Sequence, residues 1–524
     1  MIERNALFQH ALDTMENSAQ NIFLTGKAGT GKSTLLTLFR EQTRKHIVVL
    51  APTGIAALNI RGETLHSFFH FKPNIGVSEA QENAKKWQKK QIFAELDTLV
   101  IDEISMVRAD LLDCIDIFLR TVLKKDSPFG GKQMIFIGDL YQLAPVVTAQ
   151  EKKYFKEVYK SPYFFSSQAC LHPEFEMVFI ELEKVYRQND PLFIEILNAI
   201  RNRSVTETHL SQLNQRVCLQ DELVEGHVYL TTTNADADLI NTRKQQQLKT
   251  PLFTSKAELS GDFSPKLAPT DMQLTLNVGA QIMFLNNDPQ GQWVNGTLGQ
   301  IEAIHLSGQE ILVRHQDGHV VTVHPHKWTL YKYSYDATSK TLRQESEGAF
   351  TQYPLKLAWA ITIHKSQGKT FDKVIIHLGK GSFATGQTYV ALSRCRTLEG
   401  MQLTKALTKN NILTDYRVVQ FLTRYQYKHA LSLLSLDEKA ARIQNAITAK
   451  KNIDIVYLKP TDEKSHRSIT PDYVGDLTYN GKSYKGVRGH CLMRHAERVF
   501  RLDRILEISE SSDGAFCEST GNIF

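Results

Sequence analysis

Residues 26–33 read Gly-Lys-Ala-Gly-Thr-Gly-Lys-Ser, a complete G-x-x-x-x-G-K-[ST] spacing, and their flanks constrain the fold more than any other stretch of the chain. Asn21-Ile22-Phe23-Leu24-Thr25 is a short apolar run with the character of a buried parallel strand. Leu35-Leu36-Thr37-Leu38-Phe39 reads as the opening turns of a helix. Strand, glycine-rich turn and helix in that order leave backbone N–H groups curled around a common centre, and the helix N-terminus adds partial positive charge. Such a cradle fits phosphates. Gly26, Ala28, Gly29, Thr30, Gly31 and Thr34 are expected to surround them, Lys32 to reach the β- and γ-phosphates, and Ser33 to hold Mg²⁺. The chain is therefore expected to bind a nucleoside triphosphate.

Further strand-like runs follow at Ile47–Leu50, Leu99–Ile101, Met134–Ile137 and Val178–Ile180, alternating with helical stretches. That alternation predicts an α/β fold with a parallel sheet covered on both faces. A helix over 5–19 precedes the first strand, with Ala6, Leu7, Ala11, Leu12 and Met15 at helical spacing. A second series of strands starts near Val228–Leu230 and resumes at Trp359–Thr362 and Val374–Ile376. Between them, residues 252–352 switch to short alternating runs punctuated by Pro and Gly, which reads as a small antiparallel insertion. At 524 residues the chain is too long for one core, so three or four domains are expected.

Composition narrows the class only modestly. A net charge of +6 is compatible with a polyanionic partner without requiring one. The six cysteines are scattered, with no C-x-x-C pair and no histidine cluster at metal-ligand spacing, which suits reduced thiols. No basic-then-apolar leader opens the chain and no apolar run approaches the ~20 residues of a membrane span. A soluble, cytoplasmic protein is the expectation.

Several other segments carry chemistry. Asp102 and Glu103 end the buried run Leu99-Val100-Ile101. Asp102 is placed to bind the nucleotide's Mg²⁺, and Glu103 to orient and deprotonate the attacking water. Gln142, in Gly138-Asp139-Leu140-Tyr141-Gln142, is a candidate sensor of the γ-phosphate. Pro52-Thr53-Gly54 follows a strand and opens a helix, offering free N–H groups to a nucleic-acid phosphate. His66 and Phe68, within His66-Ser67-Phe68-Phe69-His70-Phe71, either stack bases or fill the core. Arg187 and Arg394 are candidates to stabilise charge on the transferred phosphoryl group.

In chain order, these blocks resemble the motifs of superfamily 1 helicases, most closely the Pif-type branch. The resemblance is carried by Thr25–Ser33, Ala51–Ala57, Ile101–Met106, Gly138–Pro145 and Val185-Tyr186-Arg187. It continues through Asn277–Met283, Val294-Asn295-Gly296, Ala358–Phe371 and Val390–Arg394, and spans residues 1–425. It implies two RecA-like domains, at 1–190 and at 191–251 with 353–425, with ATP and Mg²⁺ in the cleft between them. Residues 252–352 would be an SH3-type β-barrel, and part of 70–92 a wedge that splits the duplex. Gln9 would contact adenine and Gly368 the nucleotide; His364 and Lys365 would contact DNA. The implied activity is an ATP-dependent 5′→3′ DNA helicase, acting as a monomer on single-stranded and on forked or tailed duplex DNA in replication, repair or recombination. An RNA helicase or protein-stripping translocase of the same superfamily is the alternative.

The C-terminal part differs. Residues 426–451 read as a charged helical connector, 452–508 as β-rich, and 509–524 as a frayed tail. Arg467–Pro471 and Arg498–Ile505 resemble the later strands of a WYL domain, although the tripeptide naming that domain falls at Lys485-Gly486-Val487. Arg488, Arg494, Arg498, Arg501 and Arg504 are candidates for a phosphate-binding face, with Arg498 and Arg504 foremost, or for an ordinary solvated β surface.

Overall fold

The computed structural model describes residues 5–87, 91–148, 151–218, 226–305, 307, 309–315, 317–336, 341–379, 384–479 and 481–511. The first sheet holds β1 (Asn21–Gly26), β2 (Ile47–Ala51), β3 (Glu63–Thr64), β4 (Thr98–Ile101), β5 (Gln133–Ile137) and β6 (Met177–Leu182). They lie in the order β3-β2-β4-β5-β1-β6, and every pair is parallel. The central strands are unbroken apolar runs because helices cover both faces. The helix Ala6–Asn17 presents Phe8, Leu12 and Met15, and the helix Lys32–Gln42 presents Leu35, Leu36 and Phe39, to Ile22, Leu24, Val100 and Ile137. Asn5 caps the first of these helices by accepting the Phe8 N–H at 2.8 Å.

Because the strands run the same way, their C-terminal ends share one edge. The phosphate loop leaves β1 there, Pro52–Gly54 leaves β2, Asp102-Glu103 leaves β4, Gly138–Gln142 leaves β5, and Arg187 follows β6. Open parallel sheets place ligands at this edge.

The second sheet is also parallel, in the order Ala360–Thr362, Val228–Thr231, Val374–His377, Met401–Leu403. Asn241, in the helix Asn234–Gln247, fixes its outer strand: Asn241 Nδ2 donates to the Ala360 carbonyl at 2.8 Å and Oδ1 accepts the Ala360 N–H at 2.9 Å.

Between the halves of this second series lie, among the described residues, three antiparallel sheets. One has five strands, Val320–Val323, Glu310–His315, Leu298–His305, Gln281–Phe284 and Leu355–Leu357. The last strand pairs with Gln281–Phe284, so the insertion runs past residue 352 to 357. A long ribbon, His326–Asp336 with Thr341–Gln352, docks on the first domain. There the Val49 N–H donates to Tyr333 Oη at 3.0 Å, and Gln344 Nε2 donates to the Arg61 carbonyl at 2.9 Å. In the stretch expected to be a wedge, Val77–Lys86 is a helix that buries Ala80 and Ala84. Trp87 packs edge-on against Phe118 at 5.5 Å. Residues 88–90 of that stretch lie outside the described residues.

The described residues from 415 to 511 form a second compact unit together with 202–204. Its sheet orders Ala496–Arg501, Lys482–Cys491, Lys464–Tyr479, Ile453–Leu458 and Ile505–Glu510, all antiparallel. The helix Leu436–Thr448 is not a connector. It buries Ile443 and Ala446 among Ile453, Ile455, Ile469, Val487, Phe500 and Ile505, and so belongs to that core. Fraying does not begin at 509 either, because Ser509 and Glu510 pair with Asp454 and Ile453. The rest of the expected tail, 512–524, lies outside the described residues. Among the described residues no helix is long and apolar enough to cross a membrane.

Candidate active site

The edge of the first sheet faces the second sheet across a cavity of about 500 Å³. Ala28, Gly29, Thr30, Gly31, Lys32, Ser33 and Thr34 line one wall, with Glu103, Gln142 and Arg187; Gly368 and Arg394 line the other. Gly29 has φ +80, and a Cβ there would collide with Arg187 Cβ. Only glycine lets the segment after β6 lie this close, with the Tyr186 N–H donating to the Gly29 carbonyl at 2.8 Å. Lys32 Nζ folds onto its own loop, donating to the Gly26 and Lys27 carbonyls at 2.6 and 3.0 Å. Burial lowers its pKa, against the pull of Asp139, Glu103 and Asp102.

Asp102 and Glu103 stand in the same charged cluster. Burial raises the pKa of both carboxyls, and repulsion from Glu103 adds to the rise at Asp102. Glu103 has φ +51, a left-handed backbone uncommon outside glycine, as the chain turns sharply out of β4. Gln367, from the second domain, reaches across the cleft. Its Nε2 donates to Glu103 Oε2 at 2.9 Å and to Gln142 Oε1 at 3.3 Å. Gln142 Nε2 in turn donates to Asp139 Oδ2 at 3.3 Å. Asp139 is braced by Arg201, 3.6 Å away, which also stands 3.8 Å from Glu181 and stacks over Tyr141.

The two expected arginines meet from opposite sides. Arg187 reaches from the first domain, donating to the Ser393 and Gly368 carbonyls at 3.3 and 3.4 Å. Arg394, 1% exposed, donates to the Val390 and Lys369 carbonyls and to Ser393 Oγ. Burial pulls both guanidinium pKa values down, and repulsion from Arg187 adds to the fall at Arg394. A buried and a half-buried guanidinium whose hydrogen bonds go to neutral oxygens are only partly compensated, at Arg394 by the more distant Glu103 and Asp139. A polyphosphate would supply the missing counter-charge.

Other expected residues sit elsewhere. Gln9 does not line this cleft; its amide donates to Asp13 Oδ1 at 2.9 Å and it borders a separate cavity of about 340 Å³. Thr53 Oγ1 caps the short helix Gly54–Asn59 by accepting the Ala56 N–H, with Pro52 half-buried beside it. Gly54 lies close beneath Leu267 of the insertion. Phe68 is core, 5% exposed, packed edge-on against Phe69, Phe93 and Tyr333, so it is no stacking platform. His66 is half-buried, and its pKa is lowered by burial and by Arg108. His364 and Lys365 follow the strand Ala360–Thr362, with Lys365 exposed. Lys365 and Lys369 both feel the charge of Lys356. Lys369 Nζ donates to Asn295 Oδ1, and Asn295 Nδ2 to Asn59 Oδ1 at 3.3 Å.

On the C-terminal unit, Arg488 pairs with Asp472 at 2.8 Å and Glu497 at 3.3 Å, and Arg501 with Asp503 at 2.7 Å. Those two are already neutralised. Arg494 and Arg498 are exposed and Arg504 half-buried. Sequence reasoning did not pick out Gln367, Asn189, Thr370 or Arg396 as cleft residues. Gln367 and Thr370 lay inside the recognised Ala358–Phe371 block, the first directly before Gly368 and the second shortly after it.

Comparison with known proteins agrees with this geometry. Residues 2–210 match the family described as PIF1-like helicase, and residues 438–510 match the WYL domain. The ATP-dependent DNA helicase PIF1 of Homo sapiens is 35% identical over 440 residues, covering 80% of this chain and 64% of the relative. The chain thus spans about two thirds of the length of the vertebrate relatives it matches first. The ATP-dependent DNA helicase Pif1 of Bdellovibrio bacteriovorus is 32% identical, covering 79% of this chain and 91% of that protein. Among solved structures, Bacteroides sp Pif1 in complex with ADP-AlF4 superposes with TM-score 0.75 at 36% identity, covering 82% of this chain and 98% of its own. Bacteroides Pif1 bound to single-stranded DNA gives TM-score 0.58 at 36% identity, with the same coverage of both chains.

Proposed function

The chain belongs to the PIF1-like helicase family, and from that premise we propose that it is an ATP-dependent DNA helicase that moves 5′→3′ on single strands and unwinds duplexes. One observation supports this most: Gln367 of the second domain hydrogen-bonds both Glu103 and Gln142 of the first, so the second domain reaches into the hydrolytic groups of the first across the cleft. Hydrolysis tied to closure of two sheets is what a motor needs, since nucleotide and strand then bias one two-state element.

In this reading Lys32 leaves its loop carbonyls for the β- and γ-phosphates, and Glu103 takes the proton of the attacking water. Gln142 orients that water, while Arg187 and Arg394 exchange carbonyl partners for developing phosphoryl charge. The residues present fit Mg²⁺. Ser33 and Asp102 offer hard oxygen donors beside the phosphate cradle, and the raised carboxyl pKa at Asp102 reflects burial and negative charge that a cation would relieve. Bound there, Mg²⁺ would neutralise phosphate charge.

For the strand, Lys356 and Lys365 form a basic pair beside the second sheet with His364 adjoining Lys365, and Pro52-Thr53-Gly54 offers backbone N–H groups on the first. The test is strand displacement on duplexes carrying 5′ or 3′ tails of DNA or RNA, with ATPase measured in parallel. Unwinding from a 5′ DNA tail is expected. Displacement from a 3′ tail alone would reverse the polarity, and preference for RNA tails would favour the RNA helicase reading.

A further inference from the structure

The buried helix Gln387–Leu392 leads directly to Arg394, and contacts that it and its N-cap Gly386 make with the first domain have no role in the scheme above. At its N-terminus Gly386, φ +78, lies so close to the Tyr141 and Gln142 carbonyls that a Cβ would collide with both. Three residues on, the Ala28 N–H donates to Tyr389 Oη at 3.1 Å. Ala28 belongs to the phosphate loop and lines the cleft. Tyr389 is 5% exposed, and burial, with Asp139 adding to it, pushes its phenol pKa upward. One helix therefore reads the phosphate loop through Tyr389 and the Gln142 turn through Gly386. Arg394 Nε, in turn, is tied to that helix through the Val390 carbonyl at 2.9 Å.

We propose that Tyr389 is a positioning residue for hydrolysis: its hydroxyl ties the helix Gln387–Leu392 to the phosphate loop at Ala28 and thereby sets where Arg394 stands relative to the nucleotide. The inference rests on the reading that Arg394 acts on the transferred phosphoryl group. Tyr389→Phe keeps the buried ring and deletes only the oxygen. Losing one buried hydrogen bond that matters chiefly in the closed state lowers kcat by about three- to tenfold, with little change in ground-state nucleotide affinity.

The experiment is a double-mutant cycle in the full chain, measuring DNA-stimulated kcat, the Kd of a fluorescent non-hydrolysable ATP analogue, and Tm, for wild type, Tyr389→Phe, Arg394→Ala and the double variant. The expected result is a several-fold kcat loss in Tyr389→Phe with less than a twofold change in Kd, and no further loss when the change is made on Arg394→Ala. An unchanged kcat would overturn the proposal, as would a loss that multiplies in full with that of Arg394→Ala. A fall in Tm without a kcat effect would make the tie merely structural and overturn it too. An Arg394→Ala protein with wild-type kcat would instead strike the arginine's own role, a failure visible in that single variant alone.

Discussion

The cleft and the C-terminal unit carry similar arginines in opposite circumstances. Arg394 is buried and Arg187 half-buried, and their hydrogen bonds go to neutral oxygens, so their charge is only partly compensated. Arg488 and Arg501 lie at the surface of a β-sheet and already hold carboxylates. A buried cation without a close counter-charge is costly and therefore responsive to an arriving anion, whereas an exposed, self-paired one has little to gain. Chemistry is expected where the charge is only partly compensated, and solubility where it is paired.

The strongest way to break this contrast is in the cleft. Lys32→Ala should abolish ATP turnover with the fold intact, and Glu103→Gln should still bind ATP yet hydrolyse it at least ~10²-fold more slowly. Steady-state ATPase with nucleotide-binding titrations checks both, and normal turnover in either would remove the assigned role. Next in size, Arg187→Ala and Arg394→Ala should lower kcat more than nucleotide affinity. A rise in KM alone would mean ordinary ground-state binding.

Glu63 sharpens the contrast for a buried acid. Its carboxyl accepts Ser67 Oγ at 2.6 Å beneath the ribbon, and burial pushes its pKa up to about 7 from 4.5. Between those values the native state holds a proton that the unfolded chain releases, so stability falls as pH rises from about 4.5 to 7 and stays reduced above. Glu63→Gln should thus raise Tm at pH 8, by on the order of 2 kcal/mol in stability, and should lose that gain at pH 5. Equal effects at both pH values would show that the carboxyl is not protonated on folding. The smallest effect belongs to the C-terminal unit. Truncation after Thr414 should leave an ATPase that single strands still stimulate. If Arg494, Arg498 and Arg504 bind DNA, the log–log salt slope of binding should become shallower by roughly 0.7 for every phosphate that the truncated protein no longer neutralises. Identical slopes would confine DNA binding to the remainder of the chain, and a gain in activity would indicate that the unit restrains the motor.

How much of this was legible in the sequence depended on distance along the chain. The phosphate loop, Asp102-Glu103 and most strands of both parallel sheets were readable because each signal is local: an apolar run, a turn, a helix start; the short edge strands Glu63–Thr64 and Met401–Leu403 carry too little pattern to stand out. Phe68 was ambiguous because the ribbon residue Tyr333 that packs on it lies far downstream. Ile443 and Ala446 carry a helical apolar stripe, but the strands that cover it come later, so the segment resembled a charged connector. Ser509 and Glu510 look polar enough to fray, yet they pair with Asp454 and Ile453. Gln367 was unreadable as a bridge because its partners, Glu103 and Gln142, belong to the other domain.

The second sheet also sets a schedule for synthesis. One of its two inner strands, Val228–Thr231, pairs on one side with Ala360–Thr362 and on the other with Val374–His377, and Thr231 and Ile361 stand 130 positions apart in the chain. A ribosome needs on the order of ten seconds to supply that stretch. During that interval the apolar strand has emerged with both edges bare, while the insertion between can form its own antiparallel pairs. The insertion is thus ready before the sheet that carries it, and the second parallel sheet closes last. A nascent chain halted within the insertion is the species most exposed to aggregation.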